Sequence, residues 1–324
     1  MLQEIYTRLK RVVYCKTLKS MYGIKIQIAA SIKTTSGKES FVKKLLLMMI
    51  MIALGASLLV AQEEEEPKYG WQKEATATLN LTQSTFDNYR QGGENSTAWQ
   101  FLLGLKFNND QEHFNWANTG KFEYGQTKTG EDDFKKSVDE IKLESVFTYK
   151  IWKTINPFVS FTGETQFGPG YDYEQTPRAE ISNFMDPAYL RESIGFRYKP
   201  NEIIQARLGA ALKQTIADKF AARYSDDPET ADEVEKIRNE VGAEGVVDFN
   251  YKISETSLIT SKLELFSNLQ AFDEIDVIWN TDLTAKITKF IGFTFNVKLL
   301  YDKDVSTKRQ LKQVMGIGIT YSFL

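Results

Sequence analysis

From Trp71 to Leu324, the chain repeats one pattern, in which segments of about ten residues alternate apolar with polar side chains and are separated by turn or loop residues. The segment Phe290–Tyr301 shows it most clearly: one face would carry Ile291, Phe293, Phe295, Val297, Leu299 and Tyr301, and the other Thr294, Asn296 and Lys298. Side chains in a strand alternate between two faces, and a tilted strand needs about 9–11 residues to cross a bilayer. The pattern therefore predicts an all-β, antiparallel, up-and-down transmembrane β-barrel.

The lengths of the connections support this fold. We predict twelve strands, from Glu74–Gln83 to Leu311–Leu324. The links after strands two, four, six, eight and ten are short, and those after strands one, three, five, seven and eleven are long and polar; only Gln270–Ile275, after strand nine, departs from this order. Short periplasmic turns and longer extracellular loops are typical of outer-membrane barrels, and an even strand count places both termini in the periplasm. A soluble sandwich has no reason to sort its loops in this way.

Composition narrows the class of protein further. The net charge of −3 gives no reason to expect nucleic-acid binding. The mean hydropathy is negative, which excludes a helical-bundle membrane protein but allows a barrel, because half of each strand faces water.

The N-terminal region predicts export. Lys43 and Lys44 precede the apolar run Leu45–Ala61, and acidic residues follow it, as in a signal peptide cleaved near Ala61–Gln62. We therefore divide the chain into residues 1–41 (a mis-assigned start or an atypical leader), 42–61 (the signal peptide), 62–73 (a short periplasmic segment) and 74–324 (the barrel). Cys15 is the only cysteine and lies before the cleavage point, so the mature protein would have no disulfide. The predicted location is the outer membrane of a Gram-negative cell.

Charged side chains fall on the strand face opposite the apolar one, where they would line the lumen. A charge on the lipid face at mid-bilayer would cost about 2–4 kcal/mol, which explains why the charged residues fall on the opposite strand face. The lumen-lining candidates are Arg191, Arg197, Arg207, Lys213, Glu244, Asp248, Lys262, Glu264, Asp282, Lys286 and Lys298. These groups could select solutes in a water-filled lumen or form salt bridges that plug it, and a twelve-stranded barrel is intermediate between filled and open barrels.

Little in the chain resembles a catalytic site. His113 is the only histidine and falls in a predicted periplasmic turn, away from the outer face where a barrel lipase would act. The acidic loops lack the spaced ligands of a calcium site, so we expect no metal and no cofactor. The segment Asp227–Glu240 reads as a short helix, because Pro228 and early acidic residues are typical of a helix start.

The sharpest local motif is the loop Ser84–Thr97. Gly92 and Gly93 permit a tight loop with positive φ, and Asn88 and Arg90 could bind a ligand at the extracellular mouth. A structural turn that joins the first two strands is the favoured alternative.

The motif LNLTQSTFDNYRQGGENS at residues 79–96, with Trp71 before it, resembles the opening of a family of unknown function from Bacteroidota. Members of that family are thought to form outer-membrane β-barrels, and they have an aromatic residue, usually Trp, at the position of Tyr89. The resemblance implies the location and the fold, but it supplies no substrate and no site residues.

Two functions remain open at this point. The first is a passive pore or solute channel of the outer membrane, and the second is a non-conducting barrel that binds a partner or stabilises the envelope through its extracellular loops. The expected partners are outer-membrane lipid, lipopolysaccharide, the barrel-assembly machinery and a small polar solute. We expect neither enzymatic activity nor nucleic-acid binding.

Overall fold

The computed structural model describes residues 69–87, 90, 92–227, 234–269, 275–303 and 308–322. In this part of the chain, fourteen strands and one short helix form: β1 (Gly70–Ser84), β2 (Ser96–Asp110), β3 (Phe114–Thr129), β4 (Lys135–Tyr149), β5 (Ile155–Thr165), β6 (Gly170–Asp172), β7 (Ala179–Ser182), β8 (Ala188–Tyr198), β9 (Ile204–Ile216), α1 (Ala221–Tyr224), β10 (Ile237–Ser254), β11 (Ser257–Asn268), β12 (Ile275–Lys286), β13 (Ile291–Tyr301) and β14 (Gln310–Ser322). No helix among the described residues is long and apolar enough to cross a membrane.

Twelve of these strands form one closed antiparallel barrel. Its strand order is β1-β14-β13-β12-β11-β10-β9-β8-β5-β4-β3-β2, so each strand pairs with its sequence neighbour in the barrel and β1 closes the circle against β14. The pairing is extensive between β1 and β2, from Gly70↔Asp110 to Ser84↔Ser96, and it is shorter at the closing seam, where β14 pairs with Thr76–Asn80 of β1. The predicted all-β, twelve-stranded antiparallel barrel is confirmed.

The two faces of each strand differ as the alternation predicts. On β9, the Arg207 side chain points into the barrel and is buried, whereas the next residue, Leu208, is 69% exposed on the outside. Exposed apolar residues continue around the outer surface, including Ile194 on β8, Val241 on β10 and Met315 on β14. Soluble monomers rarely expose so large an apolar surface, and a closed barrel can cover it with lipid.

The connections also group by end. The turns 111–113, 150–154, 199–203, 255–256 and 287–290 lie at one end, which we call the short-turn end. The link 166–187 and the described parts of the link between β9 and β10, 217–227 and 234–236, lie at the other end, which we call the long-loop end. There, Asp186 accepts hydrogen bonds from the backbone N–H groups of Asp218 and Lys219, at 3.0 and 2.9 Å, and so joins the two longest links.

Several local expectations are corrected. The first strand begins at Gly70 rather than Glu74, because Gly70–Lys73 pair with Phe107–Asp110. The third link is short, since β3 and β4 extend into it and leave only 130–134. The link 166–187 contains a hairpin, β6–β7, that the sequence pattern did not predict.

The helix expected at Asp227–Glu240 is wrong at its C-terminal end, because β10 begins at Ile237 and its Glu240 pairs with Lys213. Its residues 228–233 lie outside the described part of the chain. The same is true of residues 1–68, which include the leader and the signal peptide, and of Asn88, Tyr89, Phe323 and Leu324.

Candidate functional site: an ion-paired lumen

The structure brings the predicted lumen residues together inside the barrel, with one exception. Lys286 has the inward phase, but it ends β12 at the short-turn end and is exposed. The inward-facing candidates that interact with other side chains are Arg191, Arg197, Arg207, Lys213, Glu244, Asp248, Lys262, Glu264, Asp282 and Lys298.

Glu144 is one centre of the interactions at mid-lumen. One of its carboxylate oxygens accepts a hydrogen bond from Arg207 Nη2 at 2.5 Å, and the other accepts one from Lys262 Nζ at 2.5 Å. These three residues come from β4, β9 and β11. A carboxylate held by two cations in this way is fixed in position, because both of its oxygens are used.

Glu264 is the second centre. Its oxygens lie 2.8 Å from Lys142 Nζ and 3.3 Å from Arg191 Nη1. Arg191 also reaches Glu244, at 3.1 Å, and Ser193 donates a hydrogen bond to the other oxygen of Glu244, at 2.6 Å. We call Lys142, Glu144, Arg191, Arg207, Lys262 and Glu264 the central cluster. Every carboxylate in it has a cationic partner, as the cost of burying a charge requires.

Several of these ion pairs cross the lumen. Lys298 Nζ on β13 lies 2.9 Å from Glu164 on β5, and these two strands are half the circumference apart in the strand order. The pair between Lys142 on β4 and Glu264 on β11 also joins nearly opposite walls. Side chains can meet across the barrel only where its cross-section is narrow. The ion pairs therefore form a constriction.

Smaller clusters lie on either side of the central one. Towards the long-loop end, Lys213 Nζ is 2.7, 3.2 and 3.5 Å from carboxylate oxygens of Asp276, Glu240 and Asp302.

Towards the short-turn end, Arg197 donates from Nε and Nη2 to Gln205 Oε1, at 3.0 and 2.6 Å, and Gln205 Nε2 donates to Asp248, at 2.9 Å. Phe158 is buried below the guanidinium of Arg207. Phe158 and these hydrogen-bonded side chains therefore occupy the lumen at this end.

A cavity of about 350 Å³ lies in the lumen at the long-loop end, above the central cluster. We call it the vestibule. Its floor contains Lys298, whose Nζ lies 2.8 Å from Glu140 and 2.9 Å from Glu164. Tyr189, Leu300 and Lys312 form parts of its wall. Its volume is at the lower end of the range for small-molecule sites.

The sequence interpretation missed about half of the charged lumen residues. On β4, Glu140, Lys142 and Glu144 alternate with Ile141 and Leu143, so the same phase rule would have placed them inside. The inward residues missed in this way are Lys121, Glu123, Glu140, Lys142, Glu144, Glu164, Glu240, Asp276 and Lys312. No sequence signal indicates which of them meet across the lumen, because that depends on the shape of the closed barrel.

The loop motif between β1 and β2 has the features of a structural turn. Gly92 and Gly93 have φ values of +86° and +154°, as expected for positions that favour glycine. Gly93 lies against the ring of Phe86, where any Cβ would clash, and Asn95 Oδ1 accepts a hydrogen bond from the Phe86 N–H at 2.6 Å. Arg90 is exposed in the turn.

His113 lies in the turn between β2 and β3, at the short-turn end, and is exposed there. Its backbone oxygen accepts a hydrogen bond from Lys150 N at 2.8 Å. This position is at the opposite end of the barrel from the vestibule.

The long loops carry ion pairs of their own outside the barrel. Glu180 in β7 accepts a hydrogen bond from Lys219 Nζ at 2.7 Å, and this contact lowers the pKa of the Glu180 carboxyl. It links the β6–β7 hairpin to the link between β9 and β10.

Comparison with solved structures finds other barrels at very low sequence identity. The translocator domain of the autotransporter NalP from Neisseria meningitidis is 9% identical, with a TM-score of 0.38, and the alignment covers 90% of this chain and 100% of that domain. The COG4313 outer membrane channel from Pseudomonas putida F1 is 11% identical, with a TM-score of 0.37 and coverage of 81% and 98%. The NanC porin is 7% identical, with a TM-score of 0.38 and coverage of 76% and 98%. These similarities are too weak to indicate a substrate or a mechanism.

No curated protein sequence matches the chain significantly. Two family models do match it. Residues 81–171 match "Protein of unknown function (DUF3078)", and residues 160–323, half of the chain, match "Protein of unknown function, DUF481". Both matches fall within the single barrel, so they do not mark separate domains. The chain belongs to the DUF481 family of proteins of unknown function.

Proposed function

We propose that this protein is an outer-membrane channel for small polar solutes, with a lumen narrowed by ion pairs. The observation that carries the proposal is the contrast between the two faces of the barrel. The outer face is apolar and suits lipid, whereas ionised groups line the inner face from the Lys213 cluster to Arg197. Charged groups along a narrow lumen are a common basis of selectivity in pores.

The constriction determines what such a channel would pass. The constriction contains five cations, Lys142, Arg191, Arg207, Lys262 and Lys298, and five carboxylates, Glu140, Glu144, Glu164, Glu244 and Glu264. Neither sign of charge dominates there. A solute with a large net charge gains little there. We therefore expect low conductance and weak ion selectivity.

The second candidate is a non-conducting barrel that acts through its long loops. The ion pairs between opposite walls favour it, because Lys298–Glu164 and Lys142–Glu264 occupy the space through which a solute would pass. In that case the cavity at the long-loop end would be a closed pocket.

The cellular setting is part of the proposal. The short-turn end, where β1 begins and β14 ends, would face the periplasm, and the long-loop end would face outwards near lipopolysaccharide. We also propose that the protein comes from a member of the Bacteroidota, that its signal peptide directs its export, and that the barrel-assembly machinery inserts it. Passive transport, rather than catalysis, would be the activity.

The experiment is to reconstitute residues 62–324 into planar bilayers and to record current across a salt gradient. The proposal predicts discrete conductance steps and a reversal potential close to zero, because the charges in the constriction balance. A folded barrel that gives no steps would overturn the channel and favour the second candidate. The folded state can be checked independently by the shift in electrophoretic mobility on heating.

A further inference from the structure

The vestibule contains polar groups that the protein itself leaves available. Within the described part of the chain, the Tyr189 hydroxyl and the Gln310 side-chain amide form no hydrogen bond, and both residues line the cavity. Polar groups at the wall of a cavity usually have a partner, from the protein, water or a ligand. Leu300 and Pro187 add apolar wall to the same space.

The two walls of the vestibule also carry charges of opposite sign that share their ionic partners with other side chains. Lys312 on β14 is 33% exposed, and its Nζ has only a long contact, 3.5 Å, to Glu123, which already lies 2.9 Å from Lys121. On the opposite wall, Glu164 on β5 is 23% exposed. Its cationic partners, Lys298 and Lys142, lie at 2.9 and 3.4 Å, and each has a shorter contact with another carboxylate.

We propose that the vestibule binds a small zwitterion, of the class of a free α-amino acid. This inference rests on the proposed channel function and names its substrate class. Lys312 would take the carboxylate and Glu164 the ammonium, while Leu300 and Pro187 would contact an apolar side chain. Charge-assisted hydrogen bonds of this kind are stronger than neutral ones and would fix the orientation of the ligand.

Other classes of solute fit less well. A simple anion reaching Lys312 would lie in a cavity that also contains Glu140 and Glu164, and a simple cation reaching Glu164 would lie near Lys298. Each ion would meet a side chain of its own charge in the cavity. It would also leave the charged side chain on the other wall without a ligand group. A zwitterion satisfies both walls without changing the net charge of the lumen.

The test uses the barrel of residues 62–324, folded in detergent micelles, and three probes of the same shape. L-leucine carries both charged groups, isopentylamine lacks the carboxylate, and isocaproate lacks the ammonium. Binding is measured by isothermal titration calorimetry, with empty micelles as the blank. We expect leucine to bind at least about tenfold more tightly than either analogue, because each analogue leaves one charged wall without its partner.

Two variants assign the walls. We expect Lys312→Gln to weaken leucine and isocaproate binding while leaving isopentylamine unchanged, and Glu164→Gln to weaken leucine and isopentylamine while leaving isocaproate unchanged. Lys199→Gln and Glu202→Gln are the matched controls, because that ion pair lies at the short-turn end and should not affect any probe.

Equal affinity for the three probes, or no leucine binding to a folded barrel, would overturn the zwitterion site. Conductance recorded on the same preparations separates this result from failure of the proposed function. Conductance without leucine binding would disprove the zwitterion site but not the channel. Leucine binding without conductance would sink the channel and leave a binding pocket.

Discussion

The central cluster and the vestibule use the same residue types in different ways. In the central cluster, both oxygens of Glu144 are held at 2.5 Å by cations, and the Glu264 side chain is only 7% exposed. In the vestibule, Lys312 has a long contact of 3.5 Å with Glu123, and Glu164 shares Lys298, at 2.9 Å, and Lys142, at 3.4 Å, with other carboxylates. Both side chains line the cavity. Charge alone therefore does not identify a binding site in a barrel. Fully paired charges close and stabilise the lumen, and partly paired charges remain available for a solute.

The largest expected effect comes from removing a carboxylate from the central cluster. Glu264 is shared by Lys142, Arg191 and Lys262, so Glu264→Ala removes a carboxylate from three cations inside the barrel. Lys142 then keeps only its 3.4 Å contact with Glu164, and Arg191 keeps Glu244 at 3.1 Å. We expect a loss of about 3 kcal/mol in the free energy of unfolding, since removing one partner from a buried ion-pair network leaves its positive charge incompletely compensated. Urea unfolding of the barrel in lipid vesicles measures it.

The control for this variant is Glu74→Ala. Glu74 lies 3.8 Å from Lys106, and both side chains are more than 60% exposed. We expect a change below about 0.5 kcal/mol, as for other exposed pairs. Equal losses in the two variants would show that the central cluster contributes no special stability.

A smaller effect is expected for the same change in the vestibule. After Glu164→Ala, Lys298 keeps Glu140 at 2.8 Å, and Lys142 keeps Glu264 at 2.8 Å. Because both cations retain a partner, we expect a loss of about 1 kcal/mol in the same urea assay. A loss as large as that of Glu264→Ala would remove the distinction between the two regions.

The smallest effect on stability is expected for Lys312→Ala. Among the described residues, its ionic partner is Glu123, at 3.5 Å, and Glu123 keeps Lys121 at 2.9 Å. We expect a change of ~0.5 kcal/mol or less in unfolding. The same variant removes a positive charge from the vestibule, so the reversal potential in a salt gradient should shift towards cation preference. No shift would show that Lys312 does not face the conducting path.

The fold could be predicted from the sequence because the bilayer imposes a simple rule on it. On β9, exposed Leu208 follows buried Arg207, and this alternation shows which side of the strand faces lipid. The same alternation of apolar and polar residues predicted the barrel strands. The β6–β7 hairpin was missed because its strands, Gly170–Asp172 and Ala179–Ser182, are too short to show a period. Its position depends on tertiary contacts, such as the hydrogen bond from Lys219 to Glu180.

The candidate site was harder to predict. Alternation gives the direction of Lys142 or Lys298, but not the wall that each one reaches. The contacts with Glu264 and Glu164 depend on strand stagger and on the cross-section of the barrel, which are properties of the closed sheet. The vestibule could not be found from sequence for the same reason.

The most direct test of the ion-paired constriction compares the single-channel conductance of residues 62–324 with that of the Lys142→Ala, Lys298→Ala double variant. Both lysines form contacts between opposite walls, and alanine would remove these contacts and widen the path. We predict discrete steps for the unmodified barrel and clearly larger steps for the double variant. Two results would contradict a channel constricted by these ion pairs. One is no conductance from either barrel although both remain folded, and the other is conductance steps of the same size in both.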